Sequence, residues 1–238
     1  MTPLITTNVD KKPTSNLTQF ADWAGKHWLA MFCIVWGTWV ILPFLAPMFM
    51  KLNMTGIARG IYLFYSVQCH QFPQRSFFLF GEKLTYNLSE FASAPVGFLG
   101  QLQLRQFIGN AQMGWKVAWS DRMVALYGSI WVFSLLYTVL RRRAGRLSVV
   151  FGLLLLMPLA MDGISHTISD VWGLGNGFRD SNEWLSGLIG SAFNDSFYRG
   201  DAWGSFNSLM RLCTGVLGGL ALVWLTLPRL DAMFTRDI

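Results

Sequence analysis

Long uncharged runs alternate along this chain with two extended polar stretches. Residues 28–50 carry no charge, and a membrane-spanning helix needs about 20 mainly apolar residues. This run predicts a first span, with Pro43 and Pro47 expected to kink it or end its regular part. Residues 123–140 predict a second, bounded by Asp121-Arg122 and by Arg141-Arg142-Arg143. A third span is predicted from Leu147 to about Ile168, and a fourth from about Asn207 to Pro228. Residues 57–70 are apolar and aromatic but short for a full crossing. A short fifth crossing, a re-entrant helix and an interfacial helix all fit them. Residues 71–121 and 172–206 are rich in Gly, Asn, Gln, Ser and Asp, so they are expected as connecting segments too polar to cross lipid. The expected fold is all-α: a polytopic transmembrane helix bundle of about four full spans plus one shorter membrane helix. A single domain covers residues 26–231, between a polar N-terminal tail (1–25) and a cytoplasmic tail (232–238).

Orientation follows from the tightest basic cluster. Arg141, Arg142, Arg143 and Arg146 lie in a short turn between two spans, and short loops rich in Arg and Lys stay in the cytoplasm. Both long polar segments then fall on the non-cytoplasmic side. Composition agrees with lipid as the solvent. The chain is 53% hydrophobic and 13% charged, with 11 Trp and 19 Phe, against roughly 25% charged in soluble domains. The net charge of +6 fits the topology rule and anionic headgroups. No basic run is interleaved with aromatics, so nucleic acid is set aside as a partner. The expected partners are the lipid bilayer and, in an accessory role, other subunits of a membrane complex. The expected location is a cell membrane of the bacterial inner-membrane type. The polar start does not read as a cleavable signal peptide. Cys33, Cys69 and Cys213 are far apart and make no disulfide framework. Cys33 reads as a packed apolar residue.

Four places carry candidate chemistry. Asp162, His166 and Asp170 are spaced i, i+4, i+8 and share one face of the third predicted span. Asp162 falls at membrane depth, where ionisable groups are costly and face a protein interior or a watery cavity; Asp170 is expected in water. Cys69-His70, followed by Arg75, closes the short apolar run. It reads either as a packed Cys with a His capping the last carbonyls or as thiolate, imidazole or metal-ligand chemistry. Asp121 opens the second span, where it would cap free N–H groups beside an Arg122 that snorkels to headgroups. Arg211 opens the last span and either balances Asp162 or snorkels. Gly215 and Gly219 form a G-x-x-x-G step for close helix packing. The topology puts all four places at one end of the bundle. A polar pocket of Cys69, His70, Arg75, Asp121, Asp162, His166 and Arg211 is therefore expected.

The run Cys69-His70-Gln71-x-Pro73-x-Arg75-Ser76-Phe77-Phe78-x-x-Gly81 resembles the signature of a bacterial integral-membrane family known only as domain of unknown function 2085. The resemblance continues through Lys116-Val117-Ala118-Trp119-Ser120-Asp121-Arg122, Pro158-x-x-x-Asp162-Gly163 and Arg211-x-x-Thr214-Gly215-x-x-x-Gly219. It covers about residues 30 to 231. It implies a small polytopic helical protein with no assigned activity. The chain departs from the family pattern at Ser120, where a Cys is usual, and at His166, where a Gln is usual. The first change weakens a Cys-rich site; the second adds a better metal ligand.

Three functions fit these residues. An accessory, scaffold or small-solute-handling protein would use the polar cluster as a hydrogen-bonded network. An intramembrane zinc-type hydrolase would bind a divalent metal through Cys69, His70, Asp162 and His166, although no ligand pair has a spacing such as H-E-x-x-H. A redox subunit would use His70 and His166 as axial haem ligands or as proton carriers at a quinone pocket.

Overall fold

The computed structural model describes residues 16–91, 98–190 and 192–234; most of the expected N-terminal tail and the last residues of the expected cytoplasmic tail lie outside them. Helix α1 (Asn16–Lys51) is followed by the short helix α2 (Thr55–Ser66). A small three-stranded antiparallel sheet comes next, of β1 (Ser76–Leu79), β2 (Gly109–Asn110) and β3 (Gly114–Ser120), with α3 (Phe98–Gln106) between the first two strands. Helices α4 (Asp121–Leu140) and α5 (Val149–Val171) follow, joined by the basic turn. Three short helices, α6 (Phe178–Ser181), α7 (Glu183–Ile189) and α8 (Asp195–Tyr198), lead to α9 (Phe206–Phe234). Among the described residues, four segments are long and apolar enough to cross a membrane: Asp22–Lys51, Asp121–Leu140, Val149–Val171 and Phe206–Phe234. The chain is thus a multi-pass membrane protein built as a helix bundle, as the uncharged runs predict.

Two local expectations are made more specific. Helix α1 does not end at its prolines; it runs through Pro43 and Pro47 to Lys51. The 71–121 segment is not merely connecting chain. Its strand β3 pairs with β1 and β2 at once, with Phe78 opposite Lys116 and Gly109 opposite Trp115. Gly114 takes a positive φ of 78° at the turn, where a Cβ would lie 2.3 Å from the Leu79 carbonyl oxygen. Only glycine fits there. Trp119, Val117 and Ala118 of β3 are fully buried with Tyr65 of α2 and Ala46 of α1. The sheet therefore sits against the end of the bundle as its cap.

The spans are held by close approach rather than by apolar burial alone, because lipid tails are as apolar as leucine. A Cβ on Gly219 of α9 would stand 1.9 Å from Ser129 Oγ of α4, and one on Gly215 would stand 2.8 Å from Ala125 Cβ. The G-x-x-x-G step is thus the α4–α9 seam. Indole N–H groups also bridge α1 and α4: Trp36 donates to the Tyr127 carbonyl at 3.1 Å and Trp131 to the Cys33 carbonyl at 3.0 Å. Gly219→Leu is expected to lower stability by about 1–3 kcal/mol through overpacking. The check is detergent-solution melting against Gly128→Leu, whose Cβ meets nothing within 4 Å; equal melting of the two would remove the seam.

Candidate functional site

The starts of α4 and α9 and the end of α5 meet at the sheet-capped end of the bundle. Burying charges here is costly unless each is paired, and the chain answers with two neighbouring ion networks. In the first, Arg211 grips Asp121 through Nε (2.8 and 2.9 Å to the two carboxylate oxygens) and Nη2 (2.7 Å). Its Nη1 reaches Asp201 at 2.5 Å, and its Nη2 also donates to the Asp201 carbonyl at 2.9 Å. The other oxygen of Asp201 accepts from Arg75 Nε at 2.8 Å, and the two Nη groups of Arg75 hold both oxygens of Asp170 at 2.7 Å. This chain of pairs ties the segment before β1 to α4, α5 and α9. Burial opposes the charge on Arg75 and Asp201, but the partners win. Asp201 and Asp170 hold Arg75 well above its usual value, and Arg75 and Arg211 hold Asp201 well below the carboxylate range.

The second network centres on Asp162, only 3% exposed. It accepts from Arg122 Nη2 of α4 at 2.7 Å and from Arg179 Nη2 of α6 at 2.8 Å. The same Arg179 Nη2 lies 3.1 Å from His166 Nε2. A guanidinium donates and never accepts, so His166 Nε2 is the acceptor and the imidazole proton sits on Nδ1. Arg179 is placed by its own backbone. Asp180 accepts from Gly177 N–H at 2.8 Å to start α6, and Ser169 Oγ accepts from Arg179 N–H at 3.0 Å. Asn182 and Asn207 then bind the Arg179 carbonyl at 2.7 and 2.6 Å.

A cleft of about 670 Å³ opens against these networks. Cys69, His70, Arg75, His166 and Arg211 all border it, with Arg122 and Asp170. Asp121 and Asp162 lie behind the wall as counter-ions and are not among the lining residues. Several expectations change. Arg211 does not balance Asp162; it pairs with Asp121 and Asp201. Arg122 does not simply snorkel, and Asp170 is not free in water, because each is paired across helices. His70 caps no helix: its ring is exposed and lies on Phe72, 5.8 Å between centroids, while its carbonyl accepts from Arg105 Nε at 3.0 Å. Cys69 packs in the core and accepts from Gln71 N–H at 3.4 Å.

The expected metal quartet of Cys69, His70, Asp162 and His166 does not converge. Among the described residues no three His, Cys, Asp or Glu side chains come together as a metal site. The physical reason is competition: two guanidinium groups hold Asp162, and a third contact takes the His166 Nε2 lone pair. The same contact denies His166 Nε2 to a haem iron.

Sequence reading overlooked Arg179 and Asp201, and gave Lys116 no role beyond the family resemblance. Arg179 and Asp201 lie in the second polar stretch, and their only signal was the need of Asp162 and Arg211 for buried counter-ions. Lys116 of β3 is fully buried; Nζ donates to the Gln71 and Arg105 carbonyls at 2.7 and 2.8 Å. Burial pushes its pKa down to about 7, with Cys69 opposing and Arg105 adding to the shift. An unfolded lysine titrates near 10.4, so between these values the unfolded chain holds more protons. Stability is expected to rise with pH across about 7 to 10, by at most about 1.4 kcal/mol per unit, and to be independent of this group below that window. Melting across this range should show the slope in the wild type and lose it in Lys116→Met; an unchanged slope would remove the assignment.

No family model matches this chain, and no solved structure matches it. A stretch of 46 residues is 50% identical to an uncharacterised protein of the archaeon Methanocaldococcus jannaschii; the match covers 17% of this chain and 30% of that protein. The chain thus spans less than a third of that relative's length.

Proposed function

We propose that this protein is a non-catalytic membrane protein, of the accessory or small-solute-handling kind, that binds its ligand in the cleft beside the ion networks. The observation that carries this reading is the state of the site's acids and bases. A general base or nucleophile needs a free lone pair within reach of substrate. Asp121, Asp162, Asp170 and Asp201 each hold one or two guanidinium groups, and His166 spends its lone pair on Arg179. Such a network fixes a wall in one geometry; apart from His70, whose exposed ring borders the cleft outside the networks, it leaves that wall rich in donors and poor in bases, which suits recognition. The resemblance to an uncharacterised membrane family fits this role without naming a ligand.

The basic turn supports an orientation with this cleft on the non-cytoplasmic side of a cell membrane. Arg143→Cys is expected to resist a membrane-impermeant thiol reagent in intact cells and to react once the membrane is opened; labelling in intact cells would invert the orientation. The binding role is tested by native mass spectrometry of the full chain in mild detergent. A small molecule should stay bound, and Thr167→Trp, which fills the cleft from an exposed position on α5, should release it. Retention by this variant, or a wild type that holds nothing, would overturn the reading.

A further inference from the structure

We propose that the cleft takes a phosphate group, carried on the headgroup of an amphiphile; this rests on the binding role above. Two residues that border the cleft each carry an unspent buried donor. His166 is 2% exposed, and its Nδ1, which carries the imidazole proton because Arg179 donates to Nε2, has no partner among the described residues. Arg122 commits Nη2 to Asp162, yet its buried Nε–H is also without a partner. A buried donor left unmet costs free energy, so both atoms mark a place where an acceptor belongs.

The charges select the acceptor. Three guanidinium groups border the cleft, from Arg75, Arg122 and Arg211, against one carboxylate, Asp170. That carboxylate is held on both oxygens by Arg75, so it offers a ligand cation little. Their other carboxylate partners stand behind the wall. A phosphate has acceptor oxygens in several directions, and guanidinium and imidazole N–H groups are its usual partners.

Size and position select the carrier. About 670 Å³ lies in the range that holds a drug-sized ligand rather than a bare ion. Phe72, Met123, Val171 and Trp172 supply an apolar side to the same cleft. Val171 and Trp172 are 82% and 75% exposed at the end of α5, where a span gives way to the headgroup layer. An apolar tail has a path into lipid while its phosphate meets Arg122 and His166.

The test titrates a short-chain phosphatidate into the full chain in neutral detergent. The controls are the matching diacylglycerol, which lacks phosphate, and inorganic phosphate, which lacks chains. Phosphatidate is expected to bind saturably and at least about tenfold more tightly than either control. Arg122→Gln and His166→Phe should each weaken it about tenfold. His166→Gln should stay within about threefold of wild type, because an amide supplies both an acceptor for Arg179 and a donor for the cleft. Gln101→Glu guards against misfolding as the explanation: it adds a negative charge to the wall outside the ion networks and should weaken binding about tenfold. Equal binding of the diacylglycerol, or indifference to Gln101→Glu and Arg122→Gln, would overturn the phosphate assignment. Inorganic phosphate binding as tightly as phosphatidate would keep the phosphate and overturn the amphiphile. Retention of a phosphate-free molecule that Thr167→Trp releases, with no phosphatidate binding, would sink this inference and leave the binding role standing. A wild type that retains and binds nothing would sink both.

Discussion

Arg211→Met is expected to destabilise the protein by about 3–5 kcal/mol, the cost of removing one partner from a buried ion network. Arg211 is 1% exposed, and its loss strands Asp121, which is 3% exposed. Asp121 keeps the Arg122 backbone N–H at 2.7 Å but no cation among its hydrogen-bond partners. Asp201 fares better because Arg75 still holds one oxygen. A loss of this size is a large part of the ~5–15 kcal/mol that folded domains commonly possess. Arg211→Lys should rescue little, since one ammonium cannot reproduce three contacts to Asp121 and two to Asp201 in a fixed fork. The double variant Arg211→Met with Asp121→Asn should lose markedly less than the sum of the singles, because the second change removes the stranded charge. Chemical unfolding in detergent measures the wild type, the three single variants and the double. A single Arg211→Met within about 1 kcal/mol of wild type would show that the network does not hold this end together.

Why the bundle could be read from sequence and the pairing could not has a physical basis. A span is written in the absence of charge over some twenty positions, so the four runs were visible, and so was the shortness of α2. A small sheet has no such signature: β2 has two residues and β1 has four, too few for alternation to register. The stripe of Asp162, His166 and Asp170 was visible because helix periodicity places residues on one face. Periodicity does not say which neighbour that face meets. Asp162 meets Arg122 and Arg179, while Arg211, equally plausible by depth, turns to Asp121 and Asp201. The decisive partners sit on chain that looks like loop. Arg179 is placed by a Gly177–Asp180 start and by two asparagines that bind its carbonyl, and Asp201 lies just ahead of α9. The metal reading failed for the same reason. Residue types matched a ligand set, but Arg122, read as a headgroup anchor, and Arg179, overlooked, take up Asp162 and His166.

Asp162 offers the sharpest test of this pairing. Asp162→Ala is expected to cost about 3 kcal/mol or more, because Arg179 then lies buried without its carboxylate. Arg179 is 7% exposed, its Nε has no partner among the described residues, and its guanidinium faces the Phe206 ring at 5.5 Å. An aromatic face returns about 0.5–2 kcal/mol to a cation, less than the carboxylate provides. Arg122 is better placed to tolerate the change, since its side chain is 23% exposed and can reach water. Asp162→Asn should fall between Ala and wild type: its amide oxygen still accepts, but the charge that balances two cations is gone. Combined with Arg179→Gln, Asp162→Asn should be non-additive by about 1 kcal/mol or more, whereas with Arg211→Met it should add to within about 0.5 kcal/mol. Strong coupling to Arg211, or none to Arg179, would refute the arrangement of the two networks. The same variant reaches the cleft, because Asp162 anchors Arg122 and Arg179, and Arg179 sets the His166 proton on Nδ1. Asp162→Asn should therefore weaken ligand retention in native mass spectrometry even at temperatures where the bundle remains folded.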